Sequence, residues 1–122
     1  YLKMNGPKIV EFALNRVPKQ INRLLKINKK KITDINFAIF HQANKFLVEN
    51  LGKKIGLNKK KILLSIEKYG NTNSASIPLT IFHHSKKIKN NYILISGFGV
   101  GLTWSTAIIK INNLKVSNLI KI

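Results

Sequence analysis

An imidazole and a carboxamide stand thirty residues apart in this chain, each inside a short polar motif. His41 opens His41-Gln-Ala-Asn44, and Asn71 lies in Tyr69-Gly-Asn71-Thr-Asn-Ser-Ala-Ser-Ile-Pro78. Two such side chains, converging on one point, cradle an oxygen that gains negative charge during a reaction. Neither supplies a nucleophile, and the chain has no cysteine. That rules out disulfides and thiolate zinc sites as well, and leaves the redox compartment undetermined. Taken singly, each residue has a plainer reading: a hydrogen-bonded histidine at a strand end, and a turn asparagine able to follow glycine.

The elements that must position these groups are legible from apolar spacing. Ile9, Phe12, Ala13, Val17, Ile21, Leu24 and Leu25 recur every three to four residues, which predicts a helix from Pro7 to Leu25 that ends near Lys26 to Asn28. Pro7 suits a first turn, whereas Pro18 falls inside the pattern and is expected to kink or interrupt it. Asn36 to Phe40 reads as a short buried strand, so His41 stands where a strand ends. Ala43, Leu47, Leu51 and Ile55 predict a second helix that runs to a stop at Gly56.

Ile62 to Ile66 reads as another strand, followed by a loop from Tyr69 to Ser76. Ser74 or Ser76 is expected to cap a third helix with Pro78 in its first turn and Ile77, Ile81 and Ile88 on its apolar face. Tyr92 to Ser96 has the apolar character of a central strand, and Thr106 to Ile111 is its expected hairpin partner across Gly97 to Ser105. The order is helix, strand, helix, strand, helix, strand, strand, which predicts an α/β layer with a mixed sheet. Functional groups in such layers gather where strands end. No repeat or linker divides the chain. Residues 1–111 form the expected domain and residues 112–122 an irregular or loosely docked tail.

The 122 residues fit one domain that can bury a core, or a part of something larger. The first residue is Tyr1 rather than Met, as expected of a segment excised from a longer polypeptide or processed. No apolar run is long enough to span a bilayer and no signal pattern opens the chain, so a cytoplasmic protein without a membrane partner is expected. Net charge is +18, from 22 basic residues against four acidic ones. Such an excess attracts acidic partners. Yet 20 of the 22 are lysine, clustered without interleaved aromatics, so nucleic-acid binding is the less favoured reading and solvated turns and helix ends the favoured one.

His83 and His84 do not make a metal centre with His41, because neighbours on a helix point apart and no carboxylate or cysteine joins them at ligand spacing. No metal is expected. Gly97-Phe-Gly99-Val-Gly101 runs into a further strand rather than a helix N-terminus, so it is not read as a dinucleotide loop. It is a glycine-rich turn, or a glycine-lined approach to a ligand.

Together, His41-Gln-Ala-Asn44, Tyr69-Gly-Asn71-Thr-Asn-Ser-Ala-Ser-Ile-Pro78 and Gly97-Phe-Gly-Val-Gly-Leu-Thr-Trp104 resemble, in order and spacing, the C-terminal half of β-ketoacyl-acyl-carrier-protein synthase III. The resemblance covers about residues 1–111. It implies a thiolase-like fold built from two related α/β halves, of which this chain would be most of the second. In that family an acyl group passes from coenzyme A to a cysteine, and a malonyl-carrier protein then loses carbon dioxide and attacks the acyl thioester. No cofactor is implied beyond the substrates acyl-CoA and malonyl-carrier protein.

The resemblance assigns His41 and Asn71 as the catalytic pair that donates hydrogen bonds to the malonyl thioester oxygen as it becomes an enolate. It places Phe98 beside the decarboxylation site and gives Val100 a backbone amide in the oxyanion hole. It sets Gln42, Ala43, Asn44, Lys45 and Phe46 against acyl carrier protein. Three departures stand out: Lys45-Phe46 where the family usually has arginine second after the motif, Val100 in place of glycine, and Ser105 in place of the glycine after tryptophan. The first moves the basic group by about 100° around a helix axis. The implied partners are acyl carrier protein, acyl-CoA, the N-terminal half that carries the cysteine, and a second copy in a homodimer. Alone, the chain is expected not to condense anything. A non-catalytic half-domain or basic interaction module remains the alternative.

Overall fold

The computed structural model describes residues 5–117. The first helix, α1, spans Gly6–Ile27 and opens on Asn5, whose side chain accepts from the Lys8 amide at 3.2 Å. Asn28 closes it, with its side-chain amide donating to the Leu24 carbonyl at 2.9 Å. Pro18 does not interrupt the helix, contrary to the expectation from sequence. A proline in a helix interior costs about 3 kcal/mol. Ala13, Val17 and Ile21 on the same helix are fully buried, and each large apolar side chain so removed from water returns about 1.5–3 kcal/mol. The buried face outweighs the lost backbone bond.

Strand β1, Phe37–Phe40, pairs in parallel with β2, Tyr92–Gly99, which pairs antiparallel with β3, Thr103–Lys110. The sheet is mixed, in the order β1-β2-β3. Over β1 and β2 both of its faces are covered, whereas β3 is largely exposed. Ala38, Phe40 and Leu94 pack with Ala13, Val17 and Ile21 of α1 and with Leu47 and Leu51 of α2, Lys45–Lys54. On the opposite face Ile39 and Ile93 pack with Leu63 and Ile88, and Ile77 and Ile81 lie against them. Those last residues belong to α4, Ser76–His83, and α5, Ser85–Ile88, which follow the short α3, Ile66–Tyr69. The expected α/β layer is present, with helices on both faces.

Three expectations are corrected. The strand predicted over Ile62 to Ile66 is only a single parallel bridge between Ile62 and Ala38, with the Leu63 amide donating to the Ala38 carbonyl at 2.9 Å. Beyond it, side chains take the backbone groups that a neighbouring strand would use. The Ser65 amide donates to Gln42 Oε1 at 3.0 Å, and the Leu64 carbonyl lies 2.8 Å from His84 Nε2. Next, neither Ser74 nor Ser76 caps α4: Ala75 holds that position, after a 3-10 turn over Asn73–Ala75. Finally, the hairpin is longer than predicted. Its strands run into the glycine-rich segment, which leaves only Val100, Gly101 and Leu102 as the turn. Residues 112–117 carry no regular element, although Leu114 packs against the smaller core cluster.

Candidate functional site

His41 follows β1 directly, and its amide extends the parallel ladder by donating to the Ser96 carbonyl at 2.8 Å. The backbone there is fixed by the sheet, so the ring emerges at the carboxyl end of β1. Ring atom Nδ1 lies 2.8 Å from Ser76 Oγ, at the first residue of α4. The Phe98 ring meets the imidazole edge to face, with centroids 5.5 Å apart. His41, Asn73, Ser76 and Phe98 line one cavity of about 220 Å³. Burial pushes the His41 pKa below its usual 6.5, and the Asn73 backbone carbonyl draws it part of the way back. Burial thus favours the uncharged ring, which has one N–H to donate and one lone pair to accept.

Asn71 sits at the start of the loop that walls this cavity, but it does not line it. Its side-chain oxygen accepts from the Asn73 amide at 3.1 Å, closing a local turn. Asn73 takes a left-handed backbone with φ 49°. Asparagine tolerates that region better than most residues. The result is a tight loop at the cavity wall. Val100 stands at the hairpin tip, 67% exposed, and the positive φ of that turn, 135°, falls on the neighbouring Gly101. Valine therefore fits where the resembling family usually has glycine.

The five residues set against a carrier protein divide in the structure. Gln42 is corrected: it is fully buried. Its side-chain amide donates to the Phe40 carbonyl at 2.8 Å and its oxygen accepts from Ser65, so it stitches β1 to the next segment. Ala43 packs against the larger core cluster. Asn44 caps α2, accepting from the Leu47 amide at 2.7 Å. Asn44 is exposed but its side chain is spent as the cap, and Lys45 and Phe46 reach outward. Lys45 pairs with Glu67 at 2.5 Å on the surface, and Phe46 is 68% exposed.

Sequence reasoning missed Ser76 as a partner of His41, because its position suggested a cap. It also missed Asn73, whose motif pointed to Asn71. A larger cavity, about 530 Å³, opens between α1 and the hairpin beside Arg16, Arg23 and Trp104, and holds none of the predicted site residues. Among the described residues no three histidine, cysteine, aspartate or glutamate side chains gather as metal ligands.

Solved structures share this fold. The chain superposes on 3-oxoacyl-(acyl carrier protein) synthase III from Pseudomonas aeruginosa with a TM-score of 0.88 at 24% identity, covering 95% of this chain and 38% of that one. The corresponding synthase from Burkholderia xenovorans gives 0.80 at 37% identity, over 89% of this chain and 32% of that one. The fold is thiolase-like.

The family described as 3-oxoacyl-[acyl-carrier-protein (ACP)] synthase III C terminal matches residues 25–111, and the chain belongs to it. Among similar sequences, the β-ketoacyl-[acyl-carrier-protein] synthase III of Clostridium tetani is 37% identical over 113 residues, which span 90% of this chain and 34% of that protein. The synthase III of a Prochlorococcus marinus strain is 39% identical over 89% of this chain and 33% of that protein. The chain thus spans about a third of the length of the curated relatives it matches.

Proposed function

We propose that this chain supplies the decarboxylation side of a synthase III-type condensing site, the acyl group being held on a cysteine outside it. The observation that carries this reading is the partly buried His41 at the end of β1, opening on a cavity walled by Phe98 and by the loop that follows Asn71. A malonyl thioester that loses carbon dioxide leaves its electron pair on the carbon next to the carbonyl, and the charge moves to the thioester oxygen. The His41 N–H stabilises that oxygen, and the Asn71 carboxamide, whose oxygen here accepts from the Asn73 amide, joins it through its NH2 group on turning into the cavity that it does not line in this structure. In a site shielded from water each such donor is worth about 3–4 kcal/mol.

The Phe98 ring keeps water from the departing carboxylate and gives carbon dioxide an apolar exit. The Val100 amide, at the hairpin tip, serves the acyl carbonyl. Carbanion attack on the cysteine-held acyl thioester then forms the new carbon–carbon bond and releases the cysteine thiolate. The partners of the whole protein are acyl-CoA, an acyl carrier protein and a second copy in a homodimer, in the cytoplasm. Lys45 and Phe46 form the part of the chosen stretch that faces a carrier protein.

Replacing Asn71 by Asp in the longer protein that carries this chain tests the reading. It puts a negative charge where an enolate must form, so decarboxylation of malonyl-carrier protein, followed as carbon dioxide release, is expected to vanish. Unchanged release would overturn the assignment.

A further inference from the structure

We propose that Ser76 fixes the tautomer of His41, holding Nδ1 as the bare acceptor and Nε2 as the protonated donor. Ser76 is thereby a positioning residue, and its bearing on catalysis rests on the function proposed above. A serine at the cap position of a helix ordinarily spends its hydroxyl on the helix's own free amides. Here the cap position is Ala75, with no side-chain cap bond, and the Ser76 hydroxyl turns away to β1. Ser76 is 1% exposed, so its hydroxyl has no recourse to solvent.

Among the described residues Ser76 Oγ has two partners: the Gln42 backbone amide at 3.3 Å and His41 Nδ1 at 2.8 Å. The amide can only donate, so it occupies a lone pair of the hydroxyl. The hydroxyl has one proton to give, and Nδ1 is the only one of the two partners able to accept it. A proton on Nδ1 instead would direct two donors at Oγ and leave the hydroxyl proton with no acceptor. The order is therefore Gln42 N–H to Ser76 Oγ–H to His41 Nδ1, with the ring proton on Nε2.

The Gln42 amide that starts this relay is itself held rigid, because the Gln42 side chain is tied to Phe40 and Ser65. The same relay disfavours a doubly protonated ring, in keeping with the lowered pKa that burial gives His41. One hydroxyl thus decides which ring nitrogen is a donor and which is not.

The test is the ring's own nitrogen signals, read by long-range proton–nitrogen correlation on nitrogen-15-labelled protein at a pH above the histidine range. The native protein is expected to show His41 as the Nε2–H form. Ser76→Ala is expected to raise the Nδ1–H fraction, and Ser76→Thr, which keeps a hydroxyl, to restore the native pattern. An Nδ1–H ring in the native protein, or a Ser76→Ala spectrum identical to it, overturns the proposal. The native measurement stands even if the alanine variant fails to fold.

In the longer protein, Ser76→Ala is expected to lower kcat for malonyl decarboxylation at least about tenfold with KM little changed, and Ser76→Thr to recover it. His41→Ala separates the two claims. Full decarboxylation by that variant would sink the proposed function while leaving the tautomer result intact. A dead His41→Ala beside a fully active Ser76→Ala would sink the positioning role instead.

Discussion

Burial and one neighbour shift the His41 pKa: it loses hydration at the end of β1, and the Asn73 carbonyl favours its charged form. With a folded pKa below 6.5, the unfolded chain binds this proton first as pH falls. Stability from the group is therefore fully present above about pH 6.5 and is lost as pH drops toward the lower folded value, where it levels off. Denaturant unfolding at several pH values, compared with His41→Gln, is expected to show a steeper acid loss in the native protein. A His41 midpoint at or above 6.5 in an NMR titration would contradict this. Gln42 carries the opposite lesson: set by motif beside a carrier protein, it is a structural tie.

Among the elements, α2 meets the Ile62 bridge at Gly52, where the missing side chain leaves room for Ile62. A methyl group added at Gly52 would collide with Ile62 Cδ1 and meet Cγ1 at 2.9 Å. Alanine is favoured over glycine in a helix by about 1 kcal/mol, whereas overpacking costs about 1–3 kcal/mol. Ile62 is 8% exposed and held by its bridge to Ala38, so the clash wins. Gly52→Ala is expected to destabilise by about 1 kcal/mol in denaturant melts. Adding Ile62→Val, which removes Cδ1, is expected to recover most of that loss. An alanine variant as stable as the native protein would show that Ile62 moves aside freely.

For the molecule as a whole, charge matters more than any one pair. A net +18 is spread over a small domain with two ion pairs among the described residues, Lys45 with Glu67 and Lys59 with Glu49. Self-repulsion of this kind destabilises the compact state, and salt screens it over about 10 Å at 0.1 M ionic strength. Thermal melts from about 20 to about 200 mM sodium chloride are expected to show a rising Tm. A falling Tm would mean that attractive pairs outweigh the repulsion.

Periodicity was enough to place α1, β1, α2 and the central strand, because a buried face writes its spacing into the chain wherever an element is long or wholly apolar. The three motifs likewise pointed to the family that the comparisons bear out, since their order and spacing are properties of the chain alone. What the chain could not disclose was the use of polar groups across elements. Ile62 to Leu64 has the apolar run of a strand, yet the Gln42 carboxamide and the His84 ring take the place of a neighbouring strand. Ser76 has the position of a cap, yet it bonds to a ring thirty-five residues earlier. A hydroxyl or carboxamide can satisfy several partners equally well. Only packing, by bringing one within reach and burying the rest, decides which it takes.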